Sequence, residues 1–189
     1  MINWSGHTKT SLAVHQLHLQ GVIAYPTEAV WGLGCDPFSY SAVAKILNLK
    51  SRPEHKGVIL IACDWQQFAP FTNGLTSSQL DQLQQPNSKP TTWLIPHNGT
   101  APEWIVGEHD TLAVRVTAHP LAASLCRLFG GPIVSTSANP QGLTEATNAL
   151  KVRTYFGRQL DAITSGTIGS ATAPSEIRHL LSGKIIRKG

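Results

Sequence analysis

Few cysteines, few aromatic residues and no long apolar run characterise this sequence of 189 residues. The cysteines, Cys35, Cys63 and Cys126, are widely spaced and include no CxxC pair, which argues against a disulfide framework and a structural zinc site. No stretch approaches the roughly 20 apolar residues that a membrane span needs, and the first residues lack the apolar core of a signal peptide. We therefore expect a cytoplasmic protein with no membrane contact.

Charged residues are also scarce, at 14% of the chain, and the positive ones are in excess. Lys and Arg number 15 against 11 Asp and Glu, a net charge of +4 that permits an anionic partner such as a nucleotide or RNA without requiring one. With 41% hydrophobic residues, the chain can form one domain with a sizeable core. No repeat, low-complexity segment or linker divides it, so we expect a single domain over residues 1–189.

Strand and helix patterns alternate along the chain. Apolar runs and period-two alternation predict strands at residues 22–25, 57–63, 91–96 and 111–117, and a strand that runs into a polar loop over 132–139. Helical periodicity and capping residues predict helices at 11–20, 42–50, 64–68, 76–85, 119–130 and 148–157. The tail predicts a hairpin around Ser182 and Gly183, and the Gly- and Pro-punctuated segment 26–37 predicts a loop. This order indicates an α/β or α+β fold with a mixed, twisted sheet flanked by helices.

The segment "LKSRPEHKGVILI" places Lys50 and Arg52 at the end of a predicted helix, beside a predicted core strand. Because Pro53 disfavours helical geometry at Arg52, the chain should extend there and let both cations face one cleft. A point charge next to a planar guanidinium suits a polyphosphate or a carboxylate. The alternative is a pair of solvated cations that complement the helix dipole.

The segment "STSAN" follows a hydrophobic strand directly. Strand alternation sends Ser135 and Ser137 to the same side, so two hydroxyls and the amide of Asn139 can converge on one ligand. The alternative is a turn whose polar side chains cap the next segment. Alternation likewise assigns Arg115 to a defined face of its strand, and no GxSxG or HExxH motif supplies a covalent or metal-based catalyst.

Six segments, in this order, carry a resemblance over nearly the whole chain: "AYPTEAVWGLGCDP", "LKSRPEHKGVILIA", "LAVRVTAHPL", "PIVSTSAN", "PSEIRHLLSG" and "IIRKG". Together they resemble the YrdC-like family, whose recognised constellation pairs a KxR with an SxN, here Lys50, Arg52, Ser137 and Asn139. The resemblance implies a single α/β domain around a large concave cationic site. We expect the short form, without the long C-terminal domain of some members.

The activity that the resemblance implies is the synthesis of threonylcarbamoyl-AMP and pyrophosphate from L-threonine, bicarbonate or carbon dioxide, and ATP. Partner proteins then transfer the threonylcarbamoyl group to the adenosine beside the anticodon of certain tRNAs. The implied enzyme class is a nucleotidyltransferase, with magnesium held through the ATP phosphates rather than by protein ligands. Direct contact with tRNA stays open.

The resemblance also implies roles for individual residues. The charges of "KSRPEHK" would line a cavity for phosphates and the carbamate, with Lys50 and Arg52 as catalytic phosphate contacts. Further residues are implied as contacts of the nucleotide: Thr111, Ser137, Asn139 and Arg187. Four others are implied as contacts of threonine: Thr27, Arg115, Ser135 and Ser175.

Two other functions fit parts of the sequence. A non-catalytic RNA-binding module would suit the basic balance, but the chain has no RRM or KH motif. Carbamoyl-adenylate handling, as in hydrogenase maturation, would use the same kind of domain, but those chains add cysteine-paired zinc fingers that this sequence lacks. One local departure is "QPNSKPTTW" at Gln85–Trp93, where many relatives carry a "WPGPVT"-like segment, which leaves the shape of this loop open.

Overall fold

The structure is a computed structural model that describes residues 4–189. Its helices are α1 (Thr8–His18), α2 (Tyr40–Lys50), α3 (Ala69–Thr72), α4 (Ser77–Gln84), α5 (Glu103–Val106), α6 (Pro120–Phe129) and α7 (Ala149–Phe156). Its strands are β1 (Ile23–Pro26), β2 (Trp31–Gly34), β3 (Ile59–Ala62), β4 (Thr91–Pro96), β5 (Thr111–Val116), β6 (Ile133–Ser137), β7 (Ala162–Ile163), β8 (Glu176–His179) and β9 (Ile185–Arg187).

The strands form one mixed sheet in the order β7-β1-β2-β6-β3-β5-β4-β8-β9. Three pairs are parallel, namely β1 with β7, β3 with β5, and β4 with β8, and the other neighbours are antiparallel. The short central strand β3 is therefore held by β5 on one side and β6 on the other. The predicted α/β architecture with a mixed sheet is confirmed.

Strand alternation divides the core into two layers. On β3, Leu60 packs in the larger layer, which includes residues of α2, whereas Ile61 packs with α1 and α6 on the opposite face. The register pairs Ile61 with Arg115 of β5 and with Ile133 of β6, so these residues share a face. The helices α1 and α6 cover the apolar part of that face, and its polar part is left for a cavity.

Most helix and strand predictions agree with the structure within a few residues. Ser39 caps α2, Thr76 and Gln79 form a capping box on α4, and Gly130 ends α6 in the left-handed conformation. The tail forms the predicted hairpin of β8 and β9. The predicted helix at 64–68 is a 3₁₀ turn that runs into α3, and α5 and β7 are too short to have produced a periodic signal.

The prediction of a loop over residues 26–37 is wrong, because β2 lies inside this segment. Trp31 and Leu33 are fully buried, and the glycines between and after them allow close packing of neighbouring strands. A Cβ atom at Gly34 would lie 2.6 Å from the carbonyl oxygen of Val134 and 2.7 Å from the Tyr25 ring. Gly34 is therefore a packing requirement inside a strand and does not mark a turn.

Within residues 4–189, no helix has both the length and the apolar character to cross a membrane.

The packing of β2 gives a stability prediction. Gly34→Ala should lower the free energy of unfolding by about 1–3 kcal/mol, because the new methyl group overlaps backbone and a buried ring. Gly32→Ala is the matched control in the same strand, since its Cβ would find no atom closer than 3.4 Å. Urea unfolding of both variants tests this, and equal losses of stability would contradict the packing argument.

Candidate active site

A cavity of about 400 Å³ occupies the polar part of the sheet face that α1 and α6 leave uncovered. Residues of β5 and β6 form its floor, and the segment between α2 and β3, the helix α5 and the C-terminal hairpin form its walls. Thr111, Ala113 and Arg115 of β5 line it, whereas Leu112 and Val114 are buried on the other side of the strand. The predicted alternation of β5 is thus confirmed.

The structure brings together most of the residues that the sequence singled out. Eight of the ten line this cavity: Thr27, Arg52, Thr111, Arg115, Ser135, Ser137, Ser175 and Arg187. The other two, Lys50 and Asn139, do not line it and lie beside its wall. The roles assigned to all ten in substrate binding stay predictions.

The expectation that Lys50 and Arg52 both face one cleft needs correction. The helix α2 ends at Lys50, and Ser51 turns the chain with a left-handed φ of 49°. Lys50 is buried, 6% exposed, and its ammonium donates to the carbonyl oxygens of Ser137 and Asn139 and to Oδ1 of Asn139. Burial, reinforced by the charge of Arg52, lowers the pKa of Lys50 to about 8. Lys50 holds the turn after β6 from behind.

Asn139 completes this turn. Its Oδ1 accepts a hydrogen bond from Ser137 Oγ at 2.7 Å, and its Nδ2 donates to the carbonyl oxygen of Leu143 at 2.7 Å. Both ends of the amide are therefore used within the turn, as the turn-forming alternative for "STSAN" predicted. Ser137 still lines the cavity, in a position set by Asn139 and Lys50.

Two guanidinium groups are fixed in the cavity walls by backbone oxygens. Arg52 donates from Nε and Nη2 to the carbonyl oxygen of Gly57, at 3.2 and 2.9 Å. Arg187 donates from the same two atoms to the carbonyl oxygen of Ser175, at 3.2 and 2.7 Å. Burial lowers the pKa of both, but arginine stays charged at physiological pH. With Lys56, which also lines the cavity, they give it three positive charges.

The cavity also holds a buried ion pair. Arg115 Nη1 lies 3.3 Å from Glu28 Oε2, and both residues are less than a tenth exposed. Glu28 Oε1 accepts hydrogen bonds from Thr117 Oγ1 at 2.7 Å and from the amide of Ala118 at 3.0 Å. Burial alone would raise the pKa of Glu28, but the charge of Arg115 and these hydrogen bonds bring it below its usual value.

Hydrogen-bonding capacity remains unused at this ion pair. Glu28 Oε2 and Arg115 Nε are buried and make no hydrogen bond within residues 4–189. Buried polar atoms without partners are rare in folded proteins and require an explanation. A polar ligand at Arg115 provides one.

Lys56, one of the charges of "KSRPEHK" expected to line a cavity, does line it, whereas three further titratable residues of the lining had no predicted role: Glu28, His109 and Glu145. Glu28 stands in a segment that carried the resemblance, next to Thr27. His109 and Glu145 come from loops without a recognisable motif, and only the fold brings them to the cavity.

Comparisons with known proteins relate the whole chain to one family model and to named relatives. The family model Sua5_yciO_yrdC, described as "Telomere recombination", matches residues 15–189. The chain is 54% identical over 187 residues to the threonylcarbamoyl-AMP synthase of Cellvibrio japonicus, covering 99% of both chains. It is 53% identical to the threonylcarbamoyl-AMP synthase of Stutzerimonas stutzeri, covering 88% of this chain and 90% of that one.

Solved structures show the same fold. P. abyssi Sua5 complexed with L-threonine aligns with a TM-score of 0.83 at 27% identity, covering 90% of this chain and 50% of that one. E. coli YciO aligns with a TM-score of 0.80 at 22% identity, covering 95% and 88%. This chain therefore spans about half the length of the P. abyssi protein and most of the length of YciO.

The ion pair gives a pH prediction. Because the folded pKa of Glu28 lies below the ordinary 4.5, its ionised form contributes stability that is present above about pH 4.5 and lost as pH falls through the lower folded value. Glu28→Gln removes this contribution at all pH values. We expect the stability gap between wild type and Glu28→Gln to narrow on acidification below pH 4.5, in urea unfolding at a series of pH values. A stability difference between the two proteins that does not change with pH would contradict a lowered pKa of Glu28 in the folded state.

Proposed function

The chain belongs to the Sua5/YciO/YrdC family, and from this premise we propose that it synthesises threonylcarbamoyl-AMP and pyrophosphate from L-threonine, bicarbonate or carbon dioxide, and ATP. The observation that carries the proposal is one cavity with fixed cations in its walls and a separate buried arginine, Arg115, at its floor. Such a cavity can bind two substrates side by side, one through its phosphates and the other through a carboxylate. The near full-length relatives named threonylcarbamoyl-AMP synthase support the same reading.

The wall cations suit the nucleotide. Arg52, Lys56 and Arg187 can contact the triphosphate, and the two arginines are already oriented by backbone oxygens. Ser137 and Thr111 add hydroxyl groups on the same cavity. In this proposal Lys50 and Asn139 act by shaping the turn that presents Ser137.

The floor suits threonine. Arg115 can pair with the amino acid's carboxylate, and hydroxyl groups of Thr27, Ser135 and Ser175 surround the same cavity. Thr27 Oγ1 donates to the carbonyl oxygen of Val30 at 2.7 Å, so its oxygen faces a ligand as an acceptor. Ser175 Oγ is hydrogen bonded to Thr92 Oγ1 at 2.8 Å, which fixes its position.

The reaction can proceed without a nucleophilic side chain. The threonine amine attacks carbon dioxide, a C–N bond forms as one C=O π bond breaks, and the nitrogen gives its proton to water to leave a carbamate. A carbamate oxygen then attacks the α-phosphorus of ATP, the bond to the bridging oxygen breaks, and pyrophosphate leaves. The protein holds the two substrates in line and compensates the charge that develops on the phosphates.

The proposal includes a magnesium ion that is bound to the phosphates of ATP. Within residues 4–189, no group of three or more His, Cys, Asp or Glu side chains could hold a metal ion. The cavity's donor set fits a metal that arrives on phosphate oxygens and water, with Glu145 as the carboxylate left free of the Glu28 network. Bound there, the ion would neutralise phosphate charge.

The proposed product defines the proposed partners. A threonylcarbamoyl adenylate is a reactive mixed anhydride, so other proteins of tRNA threonylcarbamoylation are expected to use it, in the cytoplasm, on the adenosine beside the anticodon. The net charge of +4 is compatible with direct tRNA contact as an addition to catalysis.

One assay tests the proposed function. Purified protein is incubated with ATP, magnesium, bicarbonate and each amino acid in turn, and new adenylates are identified by mass. We expect a threonine-dependent threonylcarbamoyl adenylate and release of pyrophosphate. Absence of any adenylate with threonine, or an equal yield with alanine, would overturn the proposal.

The cationic segment gives a second prediction. Lys50→Ala and Arg52→Ala should each lower adenylate formation about 10-fold or more, equivalent to about 1.4 kcal/mol of transition-state stabilisation. Arg52→Ala should act mainly on the KM for ATP, and Lys50→Ala on kcat through the loosened turn. Lys45→Ala is the control on the same helix, since Lys45 pairs with Asp161 outside the cavity. A near-wild-type kcat/KM for ATP in a folded Arg52→Ala variant would reject its role.

A further inference from the structure

We infer that Glu28 is the positioning residue of the threonine site, one that fixes the Arg115 guanidinium so that its remaining N–H donors can take a carboxylate. The inference deepens the proposed function and rests on it for the identity of the ligand. It concerns a side chain that the sequence motifs left without a role, and its support is the arrangement of hydrogen bonds around the ion pair.

Glu28 is held from three directions. Its side chain is anchored through Oε1 by Thr117 Oγ1 and the Ala118 amide. Its carbonyl oxygen accepts from the amide of Ala171 at 3.1 Å, and the carbonyl oxygen of Thr27 accepts from the amide of Gly169 at 2.9 Å. Neither the backbone nor the carboxylate of Glu28 can shift without breaking these bonds, so the position of Oε2 is fixed.

The anchored carboxylate leaves Arg115 only partly paired. The contact is a single one, between Nη1 and Oε2 at 3.3 Å, and Nε has no partner within residues 4–189. A free carboxylate would form a bidentate pair with a guanidinium and occupy two of its donors. Thr117 and Ala118 keep the carboxylate of Glu28 from forming a bidentate pair with Arg115. Arg115 therefore has a negative charge beside it when no ligand is bound, and it still has N–H groups that can donate to a substrate.

A role for Glu28 as the base that deprotonates the threonine amine fits less well. Oε1 already accepts two hydrogen bonds, and Oε2 faces the positive charge of Arg115. Both features stabilise the ionised carboxylate and make it a weak proton acceptor. The geometry therefore favours holding Arg115 over moving a proton.

The first test observes Arg115 directly and needs no substrate. In ligand-free protein, the side-chain nitrogen NMR signals of Arg115 should show hindered rotation of the guanidinium, with resolved Nη resonances. In Glu28→Gln, the amide can still accept from Thr117 and Ala118, but its NH₂ group then faces Nη1, so the resonances should average. Arg115 signals that are unchanged in a folded Glu28→Gln variant would overturn the inference, whatever reaction the protein catalyses.

The second test measures L-threonine binding by calorimetry. Glu28→Gln should raise the Kd for threonine about 10-fold, equivalent to about 1.4 kcal/mol, and change the Kd for ATP less than about twofold. If Glu28 acted only as a nearby negative charge, its removal would tighten carboxylate binding instead. Tighter or unchanged threonine binding would therefore overturn the inference.

A double-mutant cycle separates positioning from a general structural effect. In an Arg115→Lys background the guanidinium, with its planar set of N–H donors, is absent. Adding Glu28→Gln there should change threonine affinity less than twofold. An undiminished effect there would show that Glu28 does not act through Arg115. Glu176→Gln is the matched control, because Glu176 has similar side-chain exposure, 12% against 11%, and pairs with Arg178 outside the cavity. It should leave threonine binding unchanged.

Failure of the proposed function would look different. If wild-type protein bound no threonine and formed no adenylate while the Arg115 resonances still responded to Glu28→Gln, the positioning role would stand and the ligand assignment would fall. If wild type bound threonine and the variant bound it equally well, the proposed function would stand and the positioning role would fall.

Discussion

Burial of positive charge against the sheet is the constraint on which the site depends. A buried cation is costly unless oxygen atoms surround it. Lys50 and Arg115 are buried, Arg52 is partly buried and Arg187 is exposed. Lys50 donates to oxygens of the turn after β6 and Arg115 pairs with the carboxylate of Glu28, while Arg52 and Arg187 donate to backbone carbonyl oxygens. Lys50 and Arg115 thereby link segments that are distant in sequence, whereas Arg52 and Arg187 fix their own local segments.

These hydrogen bonds fix the side chains that line the cavity before any ligand binds. Lys50 joins the end of α2 to the turn of Ser137 and Asn139, and Arg187 joins the last strand to Ser175. Side chains already held in place lose little conformational freedom on binding, which is how a protein without a nucleophile can still accelerate a reaction between two bound substrates. In the proposed function, the same groups would therefore serve both stability and ligand binding.

The position of the cavity follows from how one sheet face is shared. Ile61 and Ile133 lie under α1 and α6, whereas Ser135 and Arg115, on the same face, lie beyond the reach of those helices. A polar residue under the helices would lack hydrogen-bond partners, whereas in the uncovered part polar residues line the cavity beside Ile59 and Ala113. The change from isoleucine to serine along β6 marks the border between core and site.

The sequence by itself determined the fold class, the hairpin and most helices and strands, because these depend on local periodicity and on turn residues. Eight of the ten site residues that it singled out line the cavity, and several of them were implied only by the family resemblance. Only the tertiary structure decided that residues 26–37 contain a strand, since the need for Gly34 comes from the neighbouring strand at Tyr25 and from Val134, far along the chain. It also decided that the side chains of Lys50 and Arg52 point in different directions. The left-handed conformation of Ser51 directs Lys50 toward the turn after β6 and Arg52 into the cavity. The role inferred for Glu28 depends on Arg115, Thr117 and Ala118, which lie about ninety residues away and reach it only once β5 has joined the sheet.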